Sequence, residues 1–586
     1  MTNLGIFDDI IIKDQTEPNQ NMDRINRTKE YELCQMNQER YKTKLSLRKK
    51  KLTDKIAMNR KIDYFNNNHE SKDTDKFHYD IFIIKNESFS ELISKIALDY
   101  KEEDKIKNIL EKICYILDQR CKNYDTKLMG NIYDFNMNDL LENNWIENLY
   151  KLILIYLKNS EIMEIITHIL YLSCIFMDYF SSNTSDNNVI YDNNEHLNKC
   201  GYFISADKYI DIYNKIFEIY LKEKNRNIIY YMIIFIAKIA DKEPKNQENL
   251  YISGILDYVI DSIDIQNDDL KEYDIKIWCL TKFDLEGKFQ INLELSLKIQ
   301  KIYIELFLNQ GKFNLLDGIN EEMDENNMFY NFLKLIENTS YCTEVAYVET
   351  LLKSNILEFL MDNINNKNHI MIKIILYIFV NLTSAETSLL KRFIDIGLLK
   401  FLTNILLDKT LIPGIKENAL VPINNLLSEP QLWNKVLFDN GIMKVFCVLL
   451  KIKNIEQNIF SEICFGMYNI IPFCDKENVK YIINDYYIIQ LICEAMKNIL
   501  SNNKSINPDI CLIFLNLILR FVSLDYDDLK ETIFFKFGSI NGVEILDQII
   551  NIFNNTDIDY QTEEIKQDIN NILEIAQLIK TQINIL

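Results

Sequence analysis

The sequence contains little glycine and proline, 13 and 7 residues in a chain of 586. An all-β fold needs both residues in its many turns, so their scarcity argues against that class and favours helices. Histidine is also scarce, at five residues, and no two have the spacing of a metal-binding pair. The twelve cysteines form no Cys-x-x-Cys pair. We therefore expect no metal site, and reduced thiols in a cytosolic or nuclear protein.

Motifs of common enzyme classes are missing as well. The sequence has no glycine-rich phosphate loop, no Gly-x-Ser-x-Gly and no His-Glu-x-x-His. Apolar runs such as 228–240, IIYYMIIFIAKIA, are broken by charged residues before they reach the 18 residues of a membrane span. The acidic stretch 1–20 does not fit a signal peptide. These patterns predict no enzyme, no cofactor and no membrane insertion.

Positive charge is concentrated in one segment of an acidic chain. The formal charge is −21, yet residues 40–61, RYKTKLSLRKKKLTDKIAMNRK, contain ten Lys or Arg and one Asp. The acidic balance argues against nucleic acid as the main ligand, because phosphate binding needs a basic surface. Within the segment, Tyr41, Leu45, Leu52 and Ile56 fall on one side of a helix. This pattern predicts an amphipathic basic helix that needs a partner to stay ordered.

A polar position recurs in a series of apolar helical stretches. The position is asparagine in the C-terminal half, at intervals of 44, 44 and 47 residues, at Asn381, Asn425, Asn469 and Asn516. Counting back at intervals of 47, 52 and 44 residues, it is lysine, at Lys334, Lys282 and Lys238. We call this recurring position the slot. Periods of this length are typical of helical repeat proteins.

A glycine keeps the same register as the slot. Gly254, Gly397 and Gly441 each lie 16 residues after a slot residue, and each begins a new apolar helix. Glycine there predicts a tight interhelical turn with a positive φ or a close helix approach. The length of the unit fits the two- and three-helix repeats of the armadillo and HEAT class.

The predicted fold is all-α: a right-handed superhelical solenoid of about ten armadillo repeats, preceded by the basic helix. The predicted domains are a disordered N-terminus, a basic helical segment, a linker, and the solenoid with its C-terminal cap. Their bounds are 1–27, 28–65, 66–85 and 86–586. The units are expected to begin near Ser88, Trp145, Cys200, Leu250, Asn292, Cys342, Leu390, Trp433, Tyr481 and Phe537.

This arrangement resembles importin-α, the nuclear-import cargo adaptor. The family's importin-β-binding segment has an Arg, a spacer, Leu-Arg-Lys-x-Lys, an acidic residue and a basic cluster. The matching residues, in order and without a gap, are Arg40, Leu47, Arg48, Lys49, Lys51, Asp54, Arg60 and Lys61. The resemblance implies that the basic residues and Leu47 dock on an importin-β-type carrier.

The resemblance also implies a groove for cargo peptides. In the family, the third helix of each repeat carries a Trp and an Asn four residues apart that face the groove. An Asn one turn from an aromatic can bond the backbone of an extended peptide, while the ring receives lysine stems. The residues that would bind the nuclear localisation signal of a cargo are Trp278, Tyr377, Asn381, Asn425, Phe465, Asn469 and Asn516.

The first half of the chain departs from the family pattern, because a lysine in the slot would repel a basic peptide. Cargo binding is therefore expected in the second half. The resemblance further implies an export factor at the C-terminal repeats and shuttling between cytoplasm and nucleus through the nuclear pore. Two alternatives stay open: a divergent armadillo scaffold that no longer reads conventional signals, and a nucleic-acid binder acting through residues 40–61.

Overall fold

The computed structural model describes most of the chain after residue 90. The described residues are 91–92, 95–96, 101–123, 145–183, 207–241, 244–264, 267–268, 270–283, 293–312, 315, 327–363, 368–429, 432, 434–502, 506–524, 526–554 and 563–585. They divide into two compact units, Met1–His78 with Tyr179–Asn187, and Tyr79–Asp178 with Asn188–Leu586. Of the first unit only residues 179–183 are described.

The segments predicted to be disordered, carrier-binding and linker therefore lie outside the described residues. The same holds for every predicted importin-β-binding residue, namely Arg40, Leu47, Arg48, Lys49, Lys51, Arg60 and Lys61. Their roles stay predictions.

All regular elements in the described part of the chain are helices. The first eight are α1 (Glu103–Asn123), α2 (Trp145–Tyr156), α3 (Ser160–Asn183), α4 (Asp207–Glu223), α5 (Arg226–Ala240), α6 (Pro244–Ile252), α7 (Ile255–Asp261) and α8 (Leu270–Thr281). The next eight are α9 (Leu293–Leu308), α10 (Met328–Thr339), α11 (Val345–Lys353), α12 (Ile356–Asp362), α13 (His369–Leu382), α14 (Thr387–Asp395), α15 (Leu398–Leu407) and α16 (Pro413–Leu427). The last eight are α17 (Ile442–Leu450), α18 (Gln457–Ile470), α19 (Lys476–Asn484), α20 (Ile488–Asn502), α21 (Pro508–Val522), α22 (Asp527–Ser539), α23 (Gly542–Asn554) and α24 (Glu563–Ile585).

The helices recur as units of three, in which two helices are followed by a third, as in α11, α12 and α13. A short π-helix, Lys435–Asp439, stands in the place of the first helix before α17. The third helices pack against one another in order: α5, α8, α10, α13, α16, α18, α21 and α24. We call this series the third-helix row. Such stacking buries a core that continues from unit to unit, and confirms the predicted all-α solenoid.

Asparagine defines the start of several third helices. A side-chain oxygen at the N-cap accepts a hydrogen bond from a main-chain N–H of the first turn, at 3.0–3.2 Å. The four caps of this kind are Asn225 before α5, Asn327 before α10, Asn368 before α13 and Asn507 before α21. The abundant asparagine of this sequence is thus partly used to fix where the row begins.

The turn between the first and second helices of a unit has a positive φ, as the glycine register predicted. The angle is 80° at Gly254, 92° at Gly397 and 73° at Gly441. At the same junction in other units the residue is not glycine, and the angles are 59° at Asn355, 54° at Tyr487 and 57° at Asn541. The turn is therefore a feature of the repeat, whereas glycine is only its commonest occupant here.

Candidate functional site

The slot asparagines of α13 and α16 join consecutive third helices. Asn381 donates from Nδ2 to Ser340 Oγ at the end of α10, at 2.7 Å. Asn425 donates from Nδ2 to Thr383 Oγ1 at the end of α13, at 3.0 Å. Asn381 is 1% exposed, whereas Asn425 is half-buried. The Asn381 amide is therefore used in packing between third helices, whereas part of the Asn425 side chain remains at the surface.

The prediction that Lys334 occupies the slot of α10 is wrong. Lys334 lies a turn before the end of the helix and pairs with Glu337. The slot is held by Asn338, which donates to the main-chain oxygen of Phe283 at 3.2 Å, just beyond the end of α8. Asn381 makes the corresponding contact one unit later. Asn338 precedes Asn381 by 43 residues and so keeps the regular interval, whereas Lys334, 47 residues before Asn381, lies one turn too early.

Asn516 is placed differently in its helix from Asn381, Asn425 and Asn469, and its predicted role in cargo binding stays a prediction. Asn516 lies in the middle of the helix and donates to the main-chain oxygen of Leu512 in its own preceding turn, at 2.9 Å. The slot of α21 is held by Arg520. Its guanidinium carbon lies 4.9 Å from the centre of the Tyr468 ring, and Nη2 donates to the Tyr468 hydroxyl at 3.2 Å. Here a cation replaces the amide in the contact with the preceding third helix.

Asn469, the slot residue of α18, differs from the other slot asparagines. It is half-buried, and its side chain has no hydrogen-bond partner among the described residues. An amide with an unused donor and acceptor at the surface can bond both a carbonyl and an N–H of an added chain. Asn469 is thus the slot residue whose amide is fully available to a ligand.

Aromatic side chains precede the slot by one turn in α13 and α18. Tyr377 and Phe465 are both half-buried, and the Tyr377 hydroxyl accepts from Asn418 Nδ2 at 3.3 Å. Beside Asn418, the carboxylate of Glu417 accepts from Asn458 Nδ2 at 3.0 Å. Residues three, four and seven positions apart share one face of a helix. These side chains therefore form a surface of aromatic, amide and carboxylate groups across three consecutive third helices.

We call this surface the α13–α18 strip. It consists of the half-buried side chains Tyr377, Glu417, Asn418, Asn425, Phe465 and Asn469. Aromatic rings attract cations, amides bond peptide backbones, and the carboxylate adds negative charge. Sequence reasoning missed Glu417 and Asn418, although they lie eight and seven residues before the Asn425 slot.

Trp278, the one tryptophan in the aromatic position, is not open to solvent. Its side chain is 3% exposed. The Nζ atoms of Lys238 and Lys282 lie 5.7 Å and 5.1 Å from the centre of its ring. Lys282 also pairs with Asp241 at 3.5 Å, at the end of the preceding third helix. The slot lysines of the first half are therefore folded against the aromatic ring and the stack.

A half-buried carboxyl lies one turn before Trp278 in α8. Asp274 accepts from Asn331 Nδ2 of α10 at 3.3 Å. Burial raises the pKa of this carboxyl to about 6, and the hydrogen bond from Asn331 opposes the increase. In the same helix, burial raises the pKa of the Cys279 thiol. The surroundings of Trp278 in α8 therefore resemble a packed interior and not an open groove.

The described residues include no group of three or more His, Cys, Asp or Glu placed to hold a metal ion. No helix among them is long and apolar enough to span a membrane. Burial raises the pKa of the described cysteine Cys447 to about 11, so its thiol stays protonated at neutral pH.

No protein-family model matches the sequence, and no curated protein matches it. Among solved structures, an engineered protein matches with a TM-score of 0.53 and 12% identity, covering 84% of this chain and 98% of its own. A designed armadillo-repeat protein in complex with the peptide (KR)4 matches with a TM-score of 0.33 and 15% identity, covering 45% and 98%. Computationally designed armadillo-repeat proteins for modular peptide recognition match with 0.33 and 13%, covering 45% and 98%. The first likeness shows the fold alone, an all-helical α-solenoid, in agreement with the three-helix units described above.

Proposed function

We propose that this protein is a nuclear-import adaptor that holds a basic cargo peptide on the α13–α18 strip. The observation that carries the proposal is the succession of half-buried aromatic or amide groups along three consecutive third helices, α13, α16 and α18. Tyr377 and Phe465 provide the aromatic groups, and Asn425 and Asn469 provide the amides. Half-buried groups of this kind on successive helices suit a ligand that spans several units, such as an extended peptide.

The strip can bind such a peptide through two kinds of contact. The amide of Asn469 bonds the peptide main chain, which fixes an extended backbone without reading its sequence. The rings of Tyr377 and Phe465 receive the aliphatic stems and cationic ends of lysine or arginine. Glu417 contributes attraction for the same cations. The two rings therefore favour basic over acidic peptides.

The carrier-binding part of the proposal rests on the basic segment 28–65. Its pattern resembles the importin-β-binding segment of importin-α, with Arg48 and Lys49 at the centre of the match. A segment with this charge docks on an acidic carrier and brings the cargo with it. An export factor at the C-terminal repeats would return the adaptor, so that it shuttles between cytoplasm and nucleus.

Cargo binding is tested by fluorescence anisotropy with a labelled (KR)4 peptide. The full-length chain carries Arg48→Glu and Lys49→Glu, so that its own basic segment does not compete. We expect saturable binding that weakens about tenfold or more when Asn425→Ala and Asn469→Ala are added. The matched control replaces Asn404 and Asn484, on second and first helices away from the row, by alanine and leaves the affinity unchanged.

Carrier binding is tested by capture of an importin-β-type carrier on the immobilised full-length chain. We expect salt-sensitive capture that is lost when Arg48 and Lys49 are both changed to glutamate, because the docking is electrostatic. Unchanged capture after the double charge reversal contradicts the import function.

The second candidate is a divergent armadillo scaffold that no longer reads basic signals. Two observations favour it: the burial of Asn381 in the stack, and the contacts of Lys238 and Lys282 with Trp278. A scaffold of this kind predicts no binding of the (KR)4 peptide by either the parent chain or its Asn425→Ala, Asn469→Ala variant.

A further inference from the structure

Two lysines of the chain contact the ring of Trp278, a group that can also receive the lysine of a basic peptide. Lys238 reaches Trp278 from the preceding third helix, and Lys282 reaches it from the end of its own helix. Their Nζ atoms lie 5.7 Å and 5.1 Å from the ring centre, within the range of a cation–π contact. Both lysines are buried, as is the ring. The Trp278 ring, the preferred site for a cation on this part of the third-helix row, is therefore already occupied by lysines of the same chain.

The fold holds the two lysines in contact with the Trp278 ring. Lys282 pairs with Asp241 at the end of α5, which fixes the direction of its side chain. The ring and the two cations belong to one chain, so the lysines are present at a high effective concentration. A peptide lysine would have to displace a lysine that is already ordered in the folded chain and therefore loses almost no further conformational entropy. It would also have to leave a buried ammonium without its ring, which is unfavourable.

The helix between this cluster and the strip gives a peptide no alternative contact. In α10, the slot residue Asn338 is 7% exposed, Asn331 is 0% exposed and Tyr330 is 5% exposed. Lys334, at the position of the aromatic, pairs with Glu337. Helix α10 thus presents neither an open ring nor an open amide.

We propose that Lys238 and Lys282 are built-in occupants of the Trp278 ring that close the α8–α10 part of the row to basic peptides. This inference rests on the proposed function, since it defines which peptides the α13–α18 strip reads. The ligand is a single short basic segment. A peptide with a second basic cluster gains nothing, because the place for that cluster is already filled.

The inference is tested on the full-length chain with Trp278 as its only tryptophan. The sequence has three tryptophans, and Trp145→Phe with Trp433→Phe leaves Trp278 as the fluorescent reporter. The ligands are the (KR)4 peptide and a peptide with two such clusters joined by a ten-residue neutral spacer. Binding is followed by anisotropy of the labelled peptide and, separately, by Trp278 emission. The Lys238→Asn, Lys282→Asn variant is compared with Lys282→Arg, which keeps a cation over the ring.

For the single-tryptophan parent we expect equal affinity for both peptides and no change of Trp278 emission on binding. The double asparagine variant should bind the two-cluster peptide about tenfold more tightly than the parent does, with a change of Trp278 emission. Lys282→Arg should behave as the parent. If the double variant unfolds, the single variant Lys238→Gln is used in its place. Acrylamide should then quench Trp278 fluorescence more strongly in Lys238→Gln than in the parent.

The inference is overturned if Trp278 emission of the parent changes and saturates with the peptide. It is also overturned if the folded double variant gains no affinity, or if Lys238→Gln leaves the quenching unchanged. These outcomes are separate from failure of the proposed function, which shows as no anisotropy change with the parent. In that case a gain of binding by the double variant still supports the inference.

Discussion

Asn424 of α16 and Glu462 of α18 are joined by two hydrogen bonds in the interior of the third-helix row. The Asn424 amide donates to Oε2 and to the main-chain oxygen of Glu462, at 2.9 Å in each case. Both residues are buried. One residue beyond Asn424, Asn425 emerges at the strip. The buried pair therefore fixes how the two third helices that carry Asn425 and Asn469 lie against each other.

Gly466 allows α16 and α18 to come this close. A Cβ atom at Gly466 would lie 2.5 Å from Asn424 Oδ1 and 3.4 Å from a methyl of Leu427. We expect Gly466→Ala to displace the Asn424 side chain and to lower the free energy of unfolding by about 1–3 kcal/mol. Urea denaturation measures the loss. Gly414→Ala is the matched control, because nothing lies within 4 Å of its Cβ position. Equal stability of both variants would show that the contact is not strained.

A buried ion pair anchors the start of α8. Lys276 Nζ lies 2.8 Å from each carboxylate oxygen of Asp268 and donates to the main-chain oxygen of Ser262 at 2.7 Å. We expect Lys276→Met to cost about 3–5 kcal/mol, because it leaves the Asp268 carboxylate buried and uncompensated. Lys353→Met, which breaks an exposed ion pair with Glu349, should cost less than about 1 kcal/mol. Comparable losses measured in urea would contradict a special role of burial.

Asp274 makes stability depend on pH. Its folded-state pKa is about 6 and its ordinary value is 3.8, so between these values the folded protein binds more protons than the unfolded chain. The free energy of unfolding contributed by this group therefore falls as the pH rises from about 4 to 6, and stays low above that. We expect Asp274→Asn to remove this fall and to stabilise the protein at pH 7.5 by about 1–3 kcal/mol.

Urea denaturation of the parent and of Asp274→Asn at pH 4.5 and pH 7.5 measures this effect. Other carboxylates contribute equally to both proteins, so the comparison isolates Asp274. A pH dependence that is the same in both proteins would contradict the raised pKa.

Substitutions of two slot asparagines should have different effects, one on stability and the other on peptide binding. Asn381→Ala removes the hydrogen bond to the buried Ser340 hydroxyl, so we expect a loss of about 1–2 kcal/mol of unfolding free energy. Asn469 has no such partner among the described residues, so Asn469→Ala should change stability by less than about 0.5 kcal/mol. It should instead weaken binding of the (KR)4 peptide. The reverse assignment, a stable Asn381→Ala and an unstable Asn469→Ala, would be inconsistent with the structure.

Composition and periodicity were enough to predict the helical class and the repeat. Gly254, Gly397 and Gly441 mark their turns because a positive φ is a local requirement that favours one residue type. The same turn at Asn355, Tyr487 and Asn541 was not predicted, because stacking of the units imposes the angle on residues that show no preference in the sequence.

The candidate site was only partly predictable. The slot followed the sequence where loops have constant length, at Asn381, Asn425 and Asn469. It was misplaced at α10, where Lys334 and Asn338 are both polar and lie one turn apart, and at α21, where the interval lengthens to 51 residues; only packing identifies Asn338 and Arg520. The sequence also could not predict which side chains of the row are accessible to a ligand and which are covered by other residues. That depends on contacts between helices far apart in sequence.

The most direct test of peptide binding on the α13–α18 strip is a photo-crosslinking map. A (KR)4 peptide with a photoreactive lysine analogue is bound to the full-length chain carrying Arg48→Glu and Lys49→Glu, and the crosslinks are located by mass spectrometry. Binding on the strip predicts crosslinks in His369–Leu382, Pro413–Leu427 and Gln457–Ile470, all lost on competition with unlabelled peptide. Competable crosslinks confined to other helices, or none at all, would contradict it.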